Sequence, residues 1–132
     1  MTTTVPAPQV TLIRAVFDAI DSMRAQSAAQ LLHDDVTFVF GNGPAVHGRP
    51  DVEHAMVDFL GALGGIRHEL TGLWQASDDP DTVIAQMTVH YTRQDGSHIH
   101  LPCCNVFRVR AGLVADYRIY MDVNPVFAAA AW

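Results

Sequence analysis

The chain has 132 residues, 49% of them apolar and 17% charged, which excludes a disordered segment and suffices for one domain with a real core. Its net charge of −6 argues against nucleic acid as a partner, because neutralising phosphates requires a basic patch.

Met1 to Pro8 lacks the charged and apolar regions of a signal peptide and reads as a flexible N-terminus. No apolar run approaches the ~20 residues that span a bilayer, so a cytoplasmic protein without membrane contact is expected. Apolar residues at Val10, Ile13, Phe17 and Ile20, with Val16 and Met23 beside them, have helical spacing over 9–25. A second short helix is expected from Ala28 to Leu32, ending at His33-Asp34-Asp35. Val36 to Phe40 is β-branched and aromatic and reads as a strand, stopped by Gly41-Asn42-Gly43-Pro44. A third helix after Gly48-Arg49-Pro50-Asp51 carries Val52, Met56, Phe59, Leu60 and Leu63, with Pro50 in its first turn and Gly64-Gly65 at its end.

Strands fill the remainder: Ile66–Gln75, Thr82–Thr92, Ser97–Arg110 and a last one after Ala111-Gly112. Asp95-Gly96 between two strand patterns signals a tight hairpin. Helices followed by a meander of long strands predict an α+β fold, a strongly curved antiparallel or mixed sheet wrapped around the N-terminal helices with an internal pocket. In the last strand Tyr117, Ile119 and Met121 share one face, and Arg118, Tyr120 and Asp122 share the other.

With these elements in place, the chain resembles the SnoaL-like branch of the nuclear transport factor 2-like superfamily, which includes polyketide cyclases, ketosteroid isomerases and limonene-epoxide hydrolases. The resemblance rests on Leu31 to Phe38, His47 to Glu53, Asn105 to Gly112 and Asp116 to Asp122, and covers roughly 9–127 as one domain, with 128–132 as a tail. It implies an α+β cone, a small-molecule pocket and a homodimer formed through the outer sheet face, where Arg118, Tyr120 and Asp122 are expected. The hydrolase's five functional groups fall at Phe38, Phe40, Gln86, Thr88 and Ile119, and none is kept. The isomerase's helix Tyr falls at Phe17, and its strand Asp near Phe40 or Gly41. The container is shared and those catalytic sets are not.

If Phe38, Phe40 and Ile119 face inward, strand parity adds Gln86, Thr88 and His90 from the middle strand. A two-residue turn at Asp95-Gly96 then adds Leu101, Cys103 and Asn105, while Tyr117 and Met121 join from the last strand and Phe17 from the first helix. His90 is the first candidate acid/base and His68 the second, since imidazole exchanges protons near neutral pH. Asn105 and Gln86 are candidates to hold a carbonyl oxygen. His98 and His100 form a His-x-His pair that a two-residue turn sends away from His90, so no metal is expected; a three-residue turn would bring His100 opposite His90 and restore a metal site as an alternative. Cys103 and Cys104 are adjacent and are expected as free thiols. An inward Asp122 acting as a base requires the opposite parity. No cofactor motif is present, and the function expected is an isomerase-, cyclase- or hydratase-type proton transfer on an apolar ring compound, or ligand binding without chemistry.

Overall fold

In a computed structural model the chain is described from residue 6 to residue 127; most of the expected flexible start and the whole tail at 128–132 lie outside the described residues. The first helix, α1 (Pro8–Asp21), starts on Pro8, whose fixed φ suits a first turn, and buries the stripe Ile13, Val16, Phe17 and Ile20. It ends in a Schellman-type turn: Met23 N–H bonds to Ile20 and Arg24 N–H to Ala19, with Met23 itself left-handed at φ 60°. A five-residue α2 (Ala25–Ala29) follows, and then β1 (Leu32–Phe40), β2 (Val46–His47) and α3 (Arg49–Gly61). The third helix buries Val52, Met56 and Leu60 at i, i+4 and i+8 and carries Asp51 at its positive end.

Four long strands complete the sheet: β3 (Leu63–Gln75), β4 (Thr82–Arg93), β5 (His98–Arg110) and β6 (Leu113–Tyr120); a short α4 (Asn124–Phe127) closes the described chain. Their order is β2-β1-β6-β5-β4-β3, with β1 parallel to β6 and every other pair antiparallel. This is the α+β arrangement expected, a six-stranded mixed sheet left open with β2 and β3 at its edges. Gly64-Gly65, read in the sequence as a helix stop, lies inside β3 at a register shift. A second shift at Leu70/Gly72 and others in β1 and β6 mark where the sheet bends. The short β2 and α4 carried too little pattern to be anticipated.

The helices cover one side of the sheet, and the core fills the space between. On β4 that side carries Val83, Ala85, Met87, Val89 and Tyr91, all buried. Hence Gln86, Thr88 and His90 face outward, contrary to the sequence expectation. The cause is the hairpin. Arg93 N–H bonds to Ser97 O and Gly96 N–H to Arg93 O, so the loop holds three residues, 94–96, with Gly96 alone at positive φ. Asp95 Oδ1 accepts both Ser97 N–H and the Ser97 hydroxyl, which fixes this turn. One extra residue pairs His90 with His100 rather than with Leu101 and inverts the parity of β4 relative to β5.

Candidate functional site

A cavity of ≈ 390 Å³ opens between the sheet and α3. Its wall is mostly aromatic and aliphatic: Phe38 and Phe40 from β1, Phe59 from α3, and Ile119 from β6. Phe40 meets Phe59 at 5.0 Å between centroids and Phe38 meets Tyr117 at 5.1 Å, edge to face. Six polar-bearing residues interrupt this surface: Asn42, His68, Tyr91, Cys103, Asn105 and Tyr117.

His68 stands on β3, the edge strand, and its imidazole is only 8% exposed. Its Nδ1 lies 2.5 Å from Asp21 Oδ1, and its backbone N–H donates to both Asp21 oxygens at 3.1 Å. An ionised carboxylate only accepts, so Nδ1 carries the hydrogen and Nε2 is left as the acceptor of the neutral ring. Nε2 has no partner among the described residues, and His68 lines the cavity. The Phe17 ring packs against the imidazole, 4.7 Å between centroids and tilted by 38°. An imidazole is thus oriented by a carboxylate in a mostly apolar wall, with one ring nitrogen left to accept a hydrogen bond.

The geometry follows from local chemistry. His68 N–H is a free donor on the sheet edge, pointing away from β4, and a buried donor needs an acceptor. The last residue of α1 supplies it. An acid at a helix C-terminus opposes the helix dipole, so Asp21 is locally unfavourable and marks a side chain used elsewhere. That was the one sequence signal for Asp21, which the sequence reading missed; the two partners are 47 positions apart.

His90, the first candidate, stands on the outer face. Its Nε2 lies 2.8 Å from Glu69 Oε1 and its ring 5.9 Å from that of His100. Glu69 is held below the usual carboxylate range, chiefly by that hydrogen bond. His98 shares this face and bonds through Nδ1 to the Thr92 hydroxyl. The three-residue turn therefore gathers His90, His98 and His100 on one surface, yet among the described residues no group of three His, Cys, Asp or Glu is arranged to hold a metal.

Of the other expected pocket residues, Phe38, Phe40, Cys103, Asn105, Tyr117, Ile119 and Met121 line the cavity. Phe17 sits in the core behind His68, and Leu101 packs against the core away from the wall. Gln86, facing outward, is removed as a partner for a ligand oxygen. Cys103 is no nucleophile: burial pushes its thiol up to about 12, and its S–H donates to Asn105 Oδ1 at 3.1 Å. Arg118 and Tyr120 lie on the outer side, Arg118 bonding Asp116 at 2.8 Å. Asp122 lies past the end of β6, exposed, and accepts Asn124 N–H, so it is not a base within the cavity.

The comparisons with known proteins agree with this architecture. No curated protein matches the sequence. Among solved structures, TerC co-crystallised with polyporic acid superposes with a TM-score of 0.77 at 18% identity, covering 91% of this chain and 95% of that one. A putative SnoaL-like polyketide cyclase from Jannaschia sp. CCS1 gives 0.77 at 14% identity, covering 96% and 94%. An LEH-like epoxide hydrolase from M. tuberculosis gives 0.76 at 17% identity, covering 88% and 84%. Such identities establish a shared fold and no more. The SnoaL-like domain matches residues 13–117, most of the chain, and this protein belongs to the SnoaL-like domain family.

Proposed function

We propose that this protein binds an apolar, ring-containing small molecule and transfers a proton on it, in an isomerase-, cyclase- or hydratase-type reaction. The observation that carries this reading is the Asp21–His68 pair at the cavity wall. His68 Nε2 takes a proton from the bound molecule; Asp21 stabilises the imidazolium, and the ring returns the proton to another atom of the same molecule. That transfer completes an isomerisation; in a cyclase-type reaction the carbanion left by His68 attacks an electrophilic carbon of the same molecule before the proton is returned to the oxygen, and in a hydratase-type reaction a water molecule supplies the added oxygen and hydrogen. Small organic molecules held by proteins of the same fold, polyporic acid and trimethylamine, support a small-molecule ligand here.

A second reading, ligand binding without chemistry, is favoured by Phe38, Phe40 and Ile119, which put apolar surface where the hydrolase resemblance called for polar groups. Turnover and binding of a panel of terpenoid and polyketide compounds, measured across pH for wild type, His68→Ala and Asp21→Asn, separates the two. Turnover that disappears in His68→Ala supports proton transfer. Binding by wild type with no turnover of any compound supports the second reading.

The proposal extends to a cytoplasmic, cofactor-independent protein that pairs with a second copy through the outer sheet face. Tyr120 on β6 and Trp74 on β3 are more than half exposed on that face, and Arg118 lies beside Tyr120. Among the described residues no helix is long and apolar enough to cross a membrane.

A further inference from the structure

The cavity holds two hydrogen-bond donors that the fold leaves unused. Tyr117 is 1% exposed, lines the cavity, and its hydroxyl has no hydrogen-bond partner among the described residues. Burial first, and then Cys103, Tyr91 and Asp21 nearby, hold that hydroxyl above its usual range, so it stays a donor. Asn105 is also 1% exposed and lines the cavity. Its carbonyl oxygen is occupied by the Cys103 thiol, and its NH₂ has no partner among the described residues.

These donors are neighbours. Asn105 pairs with Ile119 and Phe107 with Tyr117 across β5 and β6, so Asn105 and Tyr117 stand diagonally on one face, about 7–8 Å apart at Cα. The third polar group of this region, the Tyr91 hydroxyl, is already committed to Met121 Sδ at 3.4 Å. Two donors without a protein partner in an apolar wall are placed to meet an acceptor on a ligand. Among the described residues no Arg lines the cavity, the chain contains no Lys, and the one imidazole of the wall, His68, is already paired with Asp21, so a carboxylate would find no unpaired cation to offset its desolvation.

We infer that the cavity takes an uncharged carbonyl compound, its oxygen received by the Tyr117 hydroxyl and the Asn105 amide, with the Cys103 thiol holding that amide in its donating orientation. The inference rests on the cavity being a ligand site and deepens that reading by naming the class of ligand. Where His68 removes a proton from the carbon beside such a carbonyl, the C–H electron pair passes to the oxygen, and the same two donors receive the enolate that forms. Cys103 acts through Asn105 and is a positioning residue.

The test uses three probes of matched shape: 2-acetonaphthone labelled at its carbonyl carbon, 2-isopropylnaphthalene and 2-naphthoate. Wild type is expected to bind the ketone about tenfold tighter than the hydrocarbon and tighter than the carboxylate, with the C=O stretch of the bound ketone moved below its position in hexane. Tyr117→Phe and Asn105→Leu should each remove most of that preference for ketone over hydrocarbon and part of the band shift. Cys103→Ala should reduce the shift, and Cys103→Ser, which keeps a donor, should restore it. Equal affinity for ketone and hydrocarbon, tighter binding of 2-naphthoate, no binding of any probe at millimolar concentration, or a band unmoved in wild type overturns the inference. Deuterium uptake at the acetyl methyl, lost in His68→Ala, reports separately on proton transfer. A shifted band without uptake sinks the proton-transfer reading and keeps this one, and uptake without a shifted band does the reverse.

Discussion

Two histidines on adjacent strands of one sheet, His68 on β3 and His90 on β4, are each paired with a carboxylate, and their surroundings make them different devices. His68 and Asp21 are 8% and 25% exposed, and His68 lines the cavity; His90 and Glu69 are 34% and 53% exposed and face outward. In the first, water is largely excluded, the carboxylate also takes a backbone N–H, and Phe17 fixes the ring. In the second, solvent competes for every hydrogen bond, and such exposed pairs contribute little. The lesson is that side-chain chemistry and pairing distance do not identify a site; the dielectric and the neighbouring cavity do.

The largest expected effect breaks the first pair. His68→Ala should lower kcat/KM on any substrate found by about 10²–10⁴-fold, and Asp21→Asn should reproduce much of the loss by freeing the tautomer, whereas His90→Ala should leave steady-state turnover unchanged. A comparable loss in His90→Ala would place the chemistry on the wrong side of the sheet. The next effect is on stability. Asp21→Ala leaves the His68 N–H and Nδ1 without their acceptor and should cost about 2 kcal/mol by urea unfolding, while Glu69→Ala should not move the midpoint measurably.

The adjacent thiols repeat the contrast on a single strand, since Cys103 faces the cavity and Cys104 the outer side. From the thiol's ordinary pKa of 9.0 to about 12, folded Cys103 keeps a proton that the unfolded chain releases. Its contribution to stability is therefore full below that window and falls as pH rises through it. Urea midpoints between pH 8 and 11 should decline less in Cys103→Ala than in wild type. Iodoacetamide at pH 8, followed by mass spectrometry, should label Cys104 well before Cys103. The smallest effect sharpens the helix end that delivers Asp21: Met23→Gly relieves a left-handed non-glycine residue and should stabilise by about 1 kcal/mol.

Much of the fold was legible because its signals are local. The stripe Ile13, Val16, Phe17 and Ile20, the glycines closing the loops and the long β-branched runs each specify an element within a few residues. The inner rows of β1 and β6 were legible for the same reason, whereas that of β5 came out right only because the inverted parity of β4 and the two-residue turn cancelled. What failed was a single count of turn residues: Asp95-Gly96 serves a two-residue or a three-residue hairpin equally well, and the choice decides whether His90 faces in or out. Asp21 was hidden for another reason. Its partner is fixed only when α1 is laid along the edge of β3, a contact between segments 47 residues apart that no window of sequence contains.

That contact also bears on how the protein behaves in a crowded solution. An edge strand with free N–H groups is a template on which another chain can add a strand, and β3 is the longer of the two edges, at 13 residues. By occupying one of those donors with a carboxylate, Asp21 places a negative charge where an incoming backbone would dock. Loss of this one side chain should thus show itself as self-association of the folded protein, through β3, as well as in lost stability and turnover.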